Sequence, residues 1–408
     1  MVDEGGGLIV AELQRGVTFP RGFETGAVRA GIKSKNLDLM LLASDVPASV
    51  AGVFTQNLVQ AASVVYSKKI VQGGMARALI CNSGNANACT GEQGEQDNQE
   101  MASLAAKALG VNANEMLVAS TGVIGRPMPM EKLRSAIPLL PFELGSGIES
   151  DDEAAKAIMT TDTRPKQLAI EIATQAGRVR IGGIAKGSGM IAPNMATTLC
   201  FLTTDASIQP LMLQEALSAV IEKTFNRITV DGDTSTNDMC LLLANGASGV
   251  QISGGKSLEQ FCEALHSVCL HLAKEVVRDG EGATKVAAIT VQEAPTEQAA
   301  VTVAKTIAES PLVKTALFGC DPNWGRIIAA AGRAGVPFDA NDAAVLIGSH
   351  PVFSNGRGRE FDKAAVHDYL HQTEVEIIVS LGAGTQSATV WTCDYSYDYI
   401  RINASYTT

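Results

Sequence analysis

The sequence predicts an α/β protein, and three observations carry that expectation. Its 408 residues are 46% apolar but only 5% aromatic, with 39 glycines, a profile of close packing and many turns rather than disorder. Short β-rich runs alternate with stretches whose apolar residues recur at helical spacing. No apolar run reaches the roughly 18–20 residues that would cross a bilayer.

In chain order, Val50–Thr55 and Ala61–Ser67 are β-rich, and Ala78-Leu79-Ile80-Cys81 is a short buried strand. The polar run Glu92–Glu100 reads as a solvated loop, overlapping a helix over Asn98–Leu109. Leu117-Val118-Ala119 is strand-like and runs into Ser120-Thr121-Gly122. Residues 150–161 read as helix, Val179–Ile184 as strand and Leu211–Phe225 as helix. The clearest helix is 257–278, with Phe261, Leu265, Val268, Leu272 and Val276 on one face and Ser257 with Gln260 as a capping box. Beyond it, Val286–Val291 is a strand, Val301–Leu317 mixes strand and helix, and Gly325–Ala334 is a helix of small residues. Glu374–Leu381 alternates as a strand, with Ala388–Cys393 as its expected hairpin partner across Gly382-Ala383-Gly384. The change of texture places a main domain over 1–285 and a smaller C-terminal α/β domain over 286–408.

The formal net charge of −11 and pI near 5.1 argue against duplex nucleic acid and anionic membranes as partners. The first residues do not read as a secretory signal, and eight scattered cysteines without C-x-x-C suit a reduced, cytosolic protein. All five histidines lie at or beyond position 266, with no H-E-x-x-H and no G-x-S-x-G, so zinc and serine hydrolase readings start low, and no metal is expected.

The chemistry concentrates in Ile184-Ala185-Lys186-Gly187-Ser188-Gly189-Met190-Ile191-Ala192-Pro193-Asn194-Met195-Ala196-Thr197. A strand enters a Gly-rich turn, and Pro193-Asn194 breaks the chain just before a small residue and a threonine. One reading is a plain turn with Thr197 opening a strand. The other is self-cleavage: a tight bend lets the hydroxyl reach the preceding carbonyl, and an N→O acyl shift followed by hydrolysis frees the α-amine of Thr197. With an unperturbed pKa of about 7.7–8.0, that amine can take the proton of its own hydroxyl without a histidine. Ser120-Thr121-Gly122 offers a hydroxyl and a backbone N–H to an oxyanion, or an ordinary turn. Asp279-Gly280-Glu281-Gly282 sets carboxylates at a helix C-terminus, where the dipole does not favour them.

These segments, with Asn82–Gly91, Met159-Thr160-Thr161-Asp162-Thr163, Asp231–Asp238 and Asp321-Pro322-Asn323-Trp324-Gly325-Arg326, resemble the ornithine acetyltransferase family, also called glutamate N-acetyltransferase, over nearly the whole chain. The resemblance implies cleavage between Ala196 and Thr197, Thr197 as nucleophile, and Thr121 with Gly122 as the oxyanion hole. It implies substrate contacts by Thr163, Lys186, Thr197, Glu281, Asn403 and Thr408, with Thr161 an alternative to Thr163. It also implies a layered sheet-and-helix sandwich shared with certain aminopeptidases, chains 1–196 and 197–408, and an α2β2 assembly. The implied reaction moves acetyl from N-acetylornithine to glutamate by ping-pong chemistry without a cofactor, in arginine biosynthesis. Some members also use acetyl-CoA, which no motif here decides. Alternatives are a self-cleaving amidase or aminopeptidase of the same fold, and a non-catalytic small-molecule-binding relative. The Gly249–Ser257 segment misses phosphate-loop spacing, and the Asp231 segment lacks the glycine and glutamate of a calcium loop, so both read as structural.

Overall fold

A computed structural model describes residues 10–12, 14–192 and 198–405. Among the described residues eighteen strands follow one another: β1 (Val10–Glu12), β2 (Phe23–Val28), β3 (Leu39–Phe54), β4 (Met75–Asn85), β5 (Met116–Val123), β6 (Lys166–Thr174), β7 (Gly177–Lys186), β8 (Leu199–Thr204), β9 (Ser207–Ile208), β10 (Ile228–Thr229), β11 (Met239–Ala244), β12 (Gln251–Ile252), β13 (Val286–Ala294), β14 (Ala344–Ile347), β15 (His350–Ser354), β16 (Arg357–Gly358), β17 (Glu374–Ser380) and β18 (Gln386–Cys393). They form a nine-stranded sheet ordered β1-β6-β7-β8-β11-β3-β4-β5, with β2 also on β3, a seven-stranded sheet ordered β10-β18-β13-β17-β14-β15-β16, and a two-stranded pair of β12 and β9. Helices pack on both sheets, giving the expected layered α/β architecture.

Strict alternation sorts the first sheet's side chains into separate cores. Cys200, Leu202, Cys240 and Leu242 join the cluster beneath helix Gly255–Arg278, whereas Leu199, Phe201, Leu241 and Leu243 join the one on the opposite face. Two glycines in β7 let neighbours approach closely. A Cβ on Gly182 would lie 2.0 Å from the Gly16 carbonyl oxygen, and one on Gly183 would lie 2.7 Å from Leu202 and 2.9 Å from Leu272. The long strand β3 pairs with β2 through Leu39–Ser44 and with β11 through Ser49–Phe54. Between these halves lie exposed Asp45, Val46 and Pro47 and a register shift against β4. Proline, which has no N–H for a ladder, sits where the ladder is interrupted.

Several sequence expectations are corrected. Ala61–Ser67 is not β but the start of helix Ala62–Gln72. Burial of Ala61, Val64 and Ser67 follows helical spacing, and the Ser67 hydroxyl both donates to the Val118 carbonyl (2.7 Å) and accepts from its N–H (2.9 Å). That docking covers the outer strand β5, so tertiary bonding overrides a weak β preference. Glu92–Glu100 belongs to helix Gly91–Leu109 rather than a loop. Its buried positions 94, 97, 98 and 101 keep helical spacing but carry Gly, Asp and Asn before Met, which hides the stripe from a hydrophobicity reading. Val301–Leu317 holds no strand: it is built from helix Glu297–Ala308, capped by Thr296, and helix Pro311–Phe318, with proline in its first turn, joined through Glu309 and Ser310. Helix Gly255–Arg278 starts earlier than expected and lacks a Ser257 cap, and Gln260 instead accepts from the Gln175 N–H at 3.1 Å. β18 pairs with β13 and β10 rather than with β17, and β13 also pairs in parallel with β17. The Gly382-Ala383-Gly384 turn steps over the end of β13, with Leu381 and Ala383 N–H donating to Gln292 and Glu293 carbonyls. Among the described residues no helix is long and apolar enough to cross a membrane.

Candidate active site

Strand β7 ends at Lys186, which pairs with Leu199 at the start of β8, so residues 187–198 connect two antiparallel neighbours. Both approaches to the middle of this connection are anchored. Gly187 N–H donates to Asp162 Oδ1 at 2.7 Å and the Ser188 hydroxyl to the Asp279 carbonyl at 2.6 Å. Met190, at φ +58°, and Ile191 donate their N–H groups to the Asp231 carboxylate at 2.6 and 2.8 Å. Thr229 and Val230 donate to the Ile191 carbonyl, and the Thr234 hydroxyl donates to that of Ala192. On the far side Met239 N–H donates to the Thr198 carbonyl at 3.0 Å. The expected cleavage pair Ala196–Thr197, and with it the nucleophile, lies outside the described residues, as does Thr408.

Beside this connection lies a cleft of about 230 Å³. Thr121 and Gly122 form one wall. Lys186 Nζ donates to Thr121 Oγ1 at 3.2 Å, which leaves the threonine proton free to point elsewhere and makes it a better donor. Gly122 has φ +133°, and a Cβ there would lie 2.3 Å from the Gly84 carbonyl carbon, so only glycine fits this crossing of β4 and β5. Asn237 ties the wall together by donating to the Ala86 and Ser120 carbonyls at 2.6 and 2.8 Å.

Glu281 stands on another wall with Asn403 and Tyr399. Its N–H donates to the Ser188 carbonyl at 3.0 Å, and its Oε2 accepts from Asn403 Nδ2 at 2.8 Å. Gly189 makes room for it, since a Cβ there would lie 2.5 Å from the carboxylate. Among the described residues the cleft wall carries no histidine or cysteine.

Beneath the cleft Lys166 is fully buried between Asp162 (2.7 Å) and Asp279 (2.6 Å). Burial pushes the Asp162 carboxyl up, but Lys166, Lys186 and hydrogen-bond donors outweigh it and hold the acid well below the usual carboxylate range. Thr163 belongs to this support rather than to the wall. Its N–H and hydroxyl both donate to Asp279 and it is solvent-exposed, whereas Thr160 and Thr161 line the cleft. Of the two threonines left open by the sequence, the geometry favours Thr161.

Against known proteins, residues 24–408 match the ArgJ family. The chain belongs to the ArgJ family. With that family comes the enzyme class, an acyltransferase. It is 49% identical to an arginine biosynthesis bifunctional protein ArgJ of Thermosynechococcus vestitus, covering 97% of this chain and 99% of that one. The ArgJ protein of Chlorobaculum tepidum is also 49% identical, with 96% of each chain covered. Among solved structures, an ornithine acetyltransferase from Mycobacterium tuberculosis in complex with ornithine is 43% identical, with a TM-score of 0.44 over 46% of this chain and all of that chain.

In this ArgJ-family chain, sequence reasoning missed the acids that hold the site. Asp231 and Asp233, set aside as a failed calcium loop, line the cleft, and Asp231 clamps the approach to it. Among the described residues no His, Cys, Asp and Glu cluster could hold a metal. The one available signal was the density of Asp, Ser, Thr and Asn over 231–238, the residues that bond backbone locally. Nothing in the sequence links Asp162 and Lys166 to Asp279, more than a hundred residues away.

Proposed function

We propose that this chain is a self-cleaving acetyltransferase of arginine biosynthesis whose Thr197 carries acetyl from N-acetylornithine to glutamate. The observation that carries this reading is one cleft lined by Thr121 and Gly122, with Lys186 3.2 Å from Thr121, and by Glu281 and Asn403, beside the anchored approaches to 193–197. The relatives' description as bifunctional proteins of arginine biosynthesis, and the likeness to an ornithine acetyltransferase, support it.

Cleavage after Ala196 frees the Thr197 α-amine. Thr197 Oγ then attacks the acetyl carbonyl and its amine takes the hydroxyl proton. The carbonyl electron pair moves onto oxygen, where the Thr121 hydroxyl and Gly122 N–H stabilise it. Collapse expels ornithine's amine, which takes the proton, and leaves an acetyl ester on Thr197. Glutamate's amine repeats these steps in reverse. Lys186 holds the shared α-carboxylate and Glu281 the ornithine ammonium. The cut chains assemble as an α2β2 pair of pairs.

Intact mass spectrometry, alone and after N-acetylornithine, tests the scheme. It should show two chains meeting at 196/197 and one acetyl on the second; an uncut active chain, or a different new N-terminus, would refute it. Removing the Thr121 donor by Thr121→Ala should lower kcat by roughly 10²–10³-fold, the usual cost of one oxyanion donor, with circular dichroism unchanged. Glu281→Ala should raise KM for N-acetylornithine by about 10- to 100-fold, the range for a hydrogen bond to a charged group. Steady-state kinetics that give equal KM values would remove Glu281 from that role.

A further inference from the structure

The reading above leaves a charge problem. Ornithine ends in an ammonium and glutamate in a carboxylate, and both tails reach the same number of bonds from Cα. One cleft must therefore receive opposite charges at one place. Its described wall carries three carboxylates, Asp231, Asp233 and Glu281, and a single cation, Lys186, which the α-carboxylate already occupies. The neighbouring Lys33 is off the wall and donates to the Met159 carbonyl at 3.0 Å. The acceptor's tail carboxylate must then be met by neutral donors.

Two such donors stand beside Glu281. Tyr399 and Asn403 are one turn apart on helix Tyr397–Ser405, and both line the cleft. Asn403 Nδ2 bridges Glu281 Oε2 and the Tyr399 carbonyl, at 2.8 and 3.0 Å. The Tyr399 ring is fixed from behind. It stacks on Tyr395 with centroids 4.6 Å apart and planes 14° apart, and Tyr395 in turn lies over the buried Lys314 ammonium at 4.6 Å. Lys314 is itself held by the Thr392 hydroxyl at 2.7 Å and by the Cys393 carbonyl. This stack gives the phenol little freedom to turn away. Burial, then the negative charges of Asp231 and Glu281, push the Tyr399 phenol up to about 12, so it keeps its proton at neutral pH and can donate.

We infer that Tyr399, with the Asn403 amide beside it, is the specificity-determining group that admits a carboxylate tail at the Glu281 end of the cleft. In the first half-reaction Glu281 accepts from the ornithine ammonium. In the second, the Tyr399 O–H donates to the glutamate tail, and Asn403 turns its Nδ2 from Glu281 toward the same carboxylate. No proton is transferred; the two groups supply donors where the fixed charge is unfavourable. This inference rests on the acetyltransferase reading.

The test compares the two half-reactions in the cleaved wild type and in Tyr399→Phe, which keeps the stacked ring and removes only the hydroxyl. Acetyl loading from N-acetylornithine is followed by mass, and acetyl discharge to glutamate by its concentration dependence. The expected result is a shift of the ratio between the halves by about 10-fold or more against glutamate, expressed in its KM rather than in the limiting rate. Glutamine, whose tail is neutral, should lose less than glutamate as acceptor. A variant that weakens both halves equally, or leaves the glutamate-to-glutamine preference as in wild type, overturns the assignment alone. A wild type that takes up no acetyl overturns the acetyltransferase reading together with it.

Discussion

Thr197→Ala should yield a single uncut chain on a denaturing gel and no measurable acetyl transfer. The expectation is the largest available because one residue is asked for two things at once. Its hydroxyl is the atom that attacks, and its α-amine, once free, is the base that accepts the proton. Serine at the same position retains both groups and should be cut and active at a reduced rate, so the pair of variants separates loss of chemistry from loss of fold.

The second large effect concerns stability. Lys166→Met should destabilise the fold by about 3–5 kcal/mol, the range for removing one partner of a buried ion pair, measured by denaturant unfolding at pH 7. The methylene stem is kept, but Asp162 and Asp279 then share a buried site without their cation. The sign of the pH dependence follows. In the wild type the Asp162 carboxyl is held below its unfolded value, so its stabilising contribution is present above the ordinary carboxylate range and is lost as pH falls through the lower folded value. In the variant burial prevails and raises that carboxyl, so protonation in mild acid relieves it. The deficit between the two proteins should therefore be greatest near neutrality and shrink below about pH 5. A deficit that stays constant across this range would mean that the lysine acts by packing alone.

The parts legible in the sequence were those written locally. The alternation of Glu374–Leu381, the apolar stripe of 257–278 and the strand running into Ser120-Thr121-Gly122 each declare themselves within a few residues. The residues grouped by resemblance, Thr121, Gly122, Lys186, Glu281 and Asn403, come together around one cleft. What stayed hidden depends on partners far away. The place of helix Ala62–Gln72 is decided by Ser67 meeting Val118, and the position of β13 between β17 and β18 is set by ladder pairing that no turn signal records. Thr163, expected at the substrate, instead donates to Asp279, 116 positions distant, a pairing that no local pattern records.

The order of the first sheet has a consequence for any backbone break between Ala192 and Thr198. Strands β8 and β11 come from after that point, yet they are interleaved between β7 and β3, which come from before it. Neither fragment owns the complete nine-stranded sheet. Once the backbone is opened, pulling the pieces apart requires tearing the middle of a hydrogen-bonded ladder and baring the cores on both its faces. The severed protein would thus behave as a single cooperative body, and its two polypeptides would come apart only as it unfolds.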